Sequence, residues 1–89
     1  MAVLIIAETS DKTGEIYDKL AGVLTERLRQ APGFISHVAG PVKDGWRVAE
    51  LWESGDAANA FFASEVHPNI PPGFKIHRTV HPLHNLVRP

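Results

Sequence analysis

Two side chains of this sequence have types and spacing suited to moving a proton. His37 and Glu50 flank Asp44-Gly45, and Asp-Gly between two extended runs is the strongest short hairpin signal. With Asp44-Gly45 as a two-residue loop, Lys43 pairs with Trp46, Pro41 with Val48, Ala39 with Glu50, and His37 with Trp52. Side chains alternate along a strand, so these residues share one face. His37 and Glu50 become diagonal cross-strand neighbours, their Cβ atoms about 7 Å apart or less. A carboxylate beside an imidazole fixes its tautomer and lets the pair exchange a proton near neutral pH. The same pair would equally serve as a buried hydrogen bond satisfying two polar groups in a dimer interface. A three-residue turn would reverse the faces and remove the argument.

Around this pair the register gathers Trp52, Trp46, Val48 and Ile35, a set suited to an aromatic or apolar ligand wall. Trp52 also suits a core position at a strand end, and Trp46, next to the turn, suits a rim. The opposite set, Val38, Gly40, Ala49 and Leu51, is small and apolar, which suits contact with helices. His67 follows a second helical segment and could reach a cavity mouth as an acid or base, or interact with the last carbonyls of that helix. Asn69 is a candidate donor to a ligand oxygen, or a turn former. His77 and His81 fall on one side of the last strand, about 13 Å apart, too far to share a metal. With five His, no Cys and no tight ligand spacing, no metal site is expected. No Ser-His-Asp signature, phosphate-cradling loop or dinucleotide fingerprint is present.

The elements that must position these groups follow from periodicity. Val3 to Glu8 is an apolar run rich in Ile and Val, which predicts a buried strand. Thr13 is placed to cap a helix with Glu15 and Asp18 in its first turns. Its stripe is Ile16, Leu20, Val23, Leu24 and Leu28, and Pro32-Gly33 ends it near Ala31. Gly22 inside it suggests close packing against a sheet. Phe34 to Lys43 and Trp46 to Glu53 form the hairpin. A second helix opens after Ser54 and stops before His67-Pro68, and residues 69 to 73 form a loop. Phe74 to Val87 is the last strand, with Pro82 at an edge or bulge.

The order is β-α-β-β-α-β, an α+β chain of ferredoxin-like topology in a single domain spanning residues 1 to 89. Both helices on one face leave the other face bare, and a second copy of the same sheet is the simplest cover. Nine Lys+Arg against ten Asp+Glu, a net charge of -1, exclude a nucleic-acid grip by bulk charge. No apolar stretch is long enough to span a membrane, and absent Cys excludes disulfides, so the default compartment is the cytoplasm. A chain of 89 residues has a marginal core, so a ligand cavity is expected to take part of its wall from a second subunit.

Ala31-Pro32-Gly33-Phe34, Gly45-Trp46-Arg47, Glu50-Leu51-Trp52-Glu53-Ser54 and Ala60-Phe61-Phe62 together resemble the antibiotic biosynthesis monooxygenase domain family. The resemblance covers most of the chain. It implies a dimeric α+β barrel, a homodimer whose sheets meet face to face around a lumen. It also implies oxygen-dependent oxidation of a small phenolic or polyketide substrate with no cofactor, neither metal nor flavin. His37, Glu50 and Trp52 would line that lumen, with His37 and Glu50 as the acid/base pair and His67 at the mouth. Haem-degrading members of the superfamily use an Asn near the end of strand one and a Trp on or after the second helix. Thr9 and Ala60-Phe61-Phe62 depart from that pattern here. His67-Pro68 resembles the step after the second helix of olivetolic acid cyclase, though Ile70 stands where its catalytic His would fall. A cofactor-free cyclase or isomerase with His67 or His37 as base, and a non-catalytic small-ligand-binding homodimer, are the alternatives.

Overall fold

A computed structural model describes all 89 residues. Strand β1 (Val3–Thr9) leads into helix α1 (Glu15–Arg29), then β2 (Phe34–Val42), β3 (Gly45–Trp52), helix α2 (Gly55–Phe61) and β4 (His77–Pro82). The four strands form one sheet in the order β2-β3-β1-β4, each neighbouring pair antiparallel. This is the ferredoxin-like split βαβ arrangement, with β3 inserted between β1 and β2. No helix is long and apolar enough to cross a membrane.

Local chemistry accounts for the boundaries and for the departures from expectation. The residue that opens helix α1 is Gly14, whose φ of 76° lies in the left-handed region; Thr13 sits one residue before it, and its Oγ1 accepts the Glu15 N–H at 3.4 Å. The buried Asp11 does the capping from outside the helix, its Oδ2 accepting the Tyr17 backbone N–H at 3.0 Å. Ser54 caps α2 through the Ala57 N–H. That helix does not stop before His67-Pro68. It widens into one π turn over Phe62–Val66, where the His67 N–H donates to the Phe62 carbonyl five residues back, and tightens to a 3₁₀ turn over His67–Asn69. The last strand is shorter than expected: residues 74 to 76 are irregular and Pro82 ends the ladder.

The β2–β3 hairpin turns on Lys43 and Asp44, not on Asp44-Gly45. Val42 pairs with Gly45, and Asp44 takes φ 61°. The register is therefore displaced by two residues, which preserves the faces and sets His37 directly opposite Glu50. Gly45 has a separate reason to be glycine, since a Cβ there would lie 2.0 Å from the Thr9 carbonyl oxygen. A bulge between Phe34 and Ser36 leaves Ile35 as the extra residue. It lets both Phe34 and His37 turn to the same side of the sheet.

That side is the helical one. Trp52 is fully buried, 5.4 Å from the Phe34 ring and 5.7 Å from that of Phe61. With Val3, Ile5, Leu28 and Ala58 it forms the dry core beneath α2. The assignment of His37, Glu50 and Trp52 to the bare face is thus overturned. The residues turned away from the helices are the small apolar ones, Val38, Ala49 and Leu51, together with Leu4 and Ile6 of β1. Bulk explains the inversion: two indoles and four phenyl rings fill or frame the space between sheet and helices, which side chains the size of Val38 and Ala49 would leave empty.

Candidate active site

Between α1 and the sheet the layers do not close, and they enclose a cavity of about 400 Å³. It is open on part of its rim, and the residues that line it come from α1, the sheet and the segment from α2 to β4. Ile16, Leu20, Leu24 and Leu28 of α1 form the roof, and Ile5, Ala7 and Val48 the floor. Phe61, Phe62 and Val66 close the side beneath the π turn, and Phe74 and Ile76 complete it. The volume falls within the range of small-molecule sites, and the walls are mainly apolar with a few convergent polar groups.

The polar groups at one end form a continuous chain of hydrogen bonds. Tyr17 Oη lies 2.7 Å from His37 Nε2, and His37 Nδ1 lies 2.6 Å from Glu50 Oε2. The Trp52 indole N–H donates to the other carboxylate oxygen, Glu50 Oε1, at 2.9 Å. Burial, and then the nearby charges of Glu50 and Asp18, push the Tyr17 phenol above its ordinary value. Tyr17 is therefore protonated near neutral pH; in the Nδ1–H tautomer of His37 the ring donates to Glu50 and accepts from the Tyr17 hydroxyl at Nε2. A carboxylate, imidazole and hydroxyl in line form the geometry of a base held in one orientation by an acid behind it. His37 and Glu50 side chains are only 23% and 19% exposed, which shields the pair from bulk water.

Each member has an element behind it. Glu50 and His37 are held by the ladder pairing of β2 and β3, and Glu50 is pinned a second time by the core indole of Trp52. Tyr17 is held by its backbone bond to Asp11 and by its neighbours: its ring lies 5.9 Å from that of His37, nearly parallel, and 5.9 Å from Trp46. Trp46 in turn packs against Gly14, where a Cβ would sit 2.8 Å from the indole Cη2. The Trp46 indole N–H is buried without a hydrogen-bond partner.

Of the residues singled out from the sequence, His37, Glu50, Trp46 and Val48 line the cavity. Trp52 does not; it is a core residue that orients Glu50. Ile35 is the bulged residue and lines no part of the cavity. His67 is exposed, its ring 6.4 Å from that of Phe62 on the outer side of the π turn. Asn69 is exposed too, its side-chain amide donating to the Glu65 carbonyl, so the two are not brought to the His37 pair. Tyr17 and Arg78 are among the lining residues that the sequence did not mark as site candidates. Tyr17 is the only tyrosine and falls in the helical series Tyr17, Ala21, Leu24, Leu28, a signal visible once polar-tipped aromatics count as apolar. Arg78 stands on β4 at the opposite edge of the cavity floor, and nothing in its spacing marks it.

No protein-family model and no curated protein matches the sequence. Solved structures do match in fold. SnoaB, a cofactor-independent oxygenase from Streptomyces nogalater, superposes with a TM-score of 0.70 at 10% identity, over 97% of this chain and 95% of that one. ActVA-Orf6, a monooxygenase of Streptomyces coelicolor in complex with nanaomycin D, gives 0.63 at 19% identity, over 99% and 91%. A variant of MhuD with two manganese protoporphyrin IX molecules bound per active site gives 0.69 at 18%, over the whole of both chains.

Proposed function

From the fold shared with those oxygenases, which are of antibiotic-biosynthesis monooxygenase type, we propose that this chain is a cofactor-independent monooxygenase of a small aromatic or polyketide-type metabolite. The observation that carries the reading is the Tyr17–His37–Glu50 relay opening onto an apolar cavity of about 400 Å³. A substrate phenol seated against Tyr17 Oη passes its proton to that oxygen as Tyr17 passes its own to His37 Nε2. Glu50 stabilises the imidazolium that forms. The substrate phenolate then gives one electron to dioxygen, and the resulting radical and superoxide combine to form a C–O bond. The proton held on His37 returns through Tyr17 to the peroxide anion, and loss of water from the resulting hydroperoxide leaves a quinone, so one phenol and one dioxygen become one quinone and one water. The apolar wall protects the phenolate and the radical pair from solvent.

The bare sheet face supports a homodimer in the same reading. Leu4, Ile6, Ala49 and Leu51 are only partly covered and Val38 is 65% exposed, an apolar surface of the kind that marks an interface. Such a dimer would leave each chain with its own cavity, since the cavity lies on the other side of the sheet.

The test is oxygen uptake on a panel of phenols, naphthols and hydroxyanthrones. The expected result is consumption of one dioxygen per quinone formed, with no added metal or flavin. Turnover at the same rate under strict anaerobiosis would replace oxidation with a cyclase or isomerase reaction in the same cavity.

A further inference from the structure

Resting on that reading, we infer that Arg78 is the anchor for an anionic oxygen, a carboxylate in the first instance, at the end of the aromatic substrate remote from Tyr17. The guanidinium belongs to the cavity wall, yet none of the chain's four ion pairs includes it. It is held in place from behind instead. One nitrogen donates to Asn59 Oδ1 of α2 at 2.9 Å, and the Cζ atom lies 4.8 Å over the centre of the Phe62 ring. An arginine presents five N–H donors in a rigid fork. One of these bonds is accounted for, which leaves donors free for a ligand that enters the cavity. Burial lowers the pKa of the group and the charge of Glu50, which makes no ion pair with it, offsets this only in part, so a matching anion in the cavity would relieve the remainder.

The topology sets the geometry of recognition. His37 is on β2 and Arg78 on β4, the two edges of the sheet, so three strand spacings, about 14 Å, separate their strand axes. Both side chains and Tyr17 reach inward over the floor formed by Ala7 and Val48. A fused aromatic of two rings, with a hydroxyl at one end and a carboxylate at the other, matches this arrangement. Its hydroxyl meets the relay while its carboxylate takes the paired N–H groups of Arg78, as planar carboxylates do with arginine.

The experiment compares 6-hydroxy-2-naphthoic acid with its methyl ester by calorimetric titration at pH 7.5. The wild-type protein is expected to bind the acid at least about tenfold more tightly than the ester. Arg78→Gln is expected to bring the acid down to the ester's affinity and leave the ester unchanged, and Arg78→Lys to keep part of the preference. Equal binding of acid and ester by the wild type overturns the assignment, as does no binding of either, or a preference that survives in Arg78→Gln. The titration needs no turnover. An intact acid preference without oxygen uptake sinks the oxidation reading and leaves Arg78 as the anchor. Oxidation of neutral phenols with no acid preference does the reverse.

Discussion

Both nitrogens of the His37 imidazole are engaged. In the Nδ1–H tautomer Glu50 accepts the Nδ1–H hydrogen bond, which leaves Nε2 as the acceptor facing Tyr17. Glu50→Gln keeps the shape and the Trp52 contact but removes the charge that stabilises a protonated ring, so kcat is expected to fall by about 10²–10⁴-fold with probe binding retained. Stopped-flow measurement of quinone formation checks this, and an unchanged rate would make the pair structural. Tyr17 offers a second, independent handle. The folded state holds its proton more tightly than the unfolded chain. That contribution to stability is fully present below about pH 10 and is lost as pH rises from there through the raised folded value. Urea midpoints at pH 9 and pH 11 should therefore drop further for the wild type than for Tyr17→Phe; parallel drops contradict the assignment. His37 and Glu50 were legible in the sequence because strand pairing makes neighbours of residues on either side of a turn. Tyr17 and Arg78 were not, since a helix and a far edge strand meet them only through tertiary packing, which no local period encodes.

Each element was recognisable from its period, and the differences lie where side chains overrule propensity. The hairpin loop lies one residue earlier, which displaces the register by two, because Asp44 accepts the left-handed conformation while Gly45 is needed inside β3 against Thr9. Moving by an even number kept His37 and Glu50 on one face, so the pairing survived an incorrect register. The stripe on α1 contained one misplaced residue, Val23, which is 49% exposed. Gly22 beside it is exposed as well, and a Cβ there meets nothing within 4 Å, so close packing does not explain this glycine. Gly22→Ala is expected to stabilise the fold by about 0.5–1 kcal/mol. Thermal unfolding checks it: the midpoint should rise by a few degrees, about 4 °C or more per kcal/mol in a domain of this size. A lower midpoint would mean that the helix needs flexibility at this position. The π turn had no sequence signal, yet it carries Phe62 to Arg78 and to the cavity wall.

At the scale of the whole molecule the decisive fact is which side of the sheet holds the chemistry. Only nine of 89 residues are buried, and the dry core is confined to the α2 end, so the α1 half can stand off the sheet and leave room for a ligand. The topology followed from the order of elements, but the facing did not, because alternation sorts residues into two sets without saying which set meets the helices. Self-association through the bare face is expected to be independent of the cavity. Sedimentation equilibrium should report a dimer for the wild type and a monomer for Leu51→Glu, and a wild-type monomer at micromolar concentration would remove the dimer. The placement of the site is tested most directly by nuclear magnetic resonance, titrating 6-hydroxy-2-naphthoic acid into the ¹⁵N-labelled protein. The largest shifts are expected at the Trp46 indole N–H and at the backbone amides of Tyr17, His37 and Phe62, with Val38, Ala49 and Leu51 little affected. Largest shifts at Leu4, Val38, Ala49 and Leu51 would put the ligand on the opposite side of the sheet and contradict it.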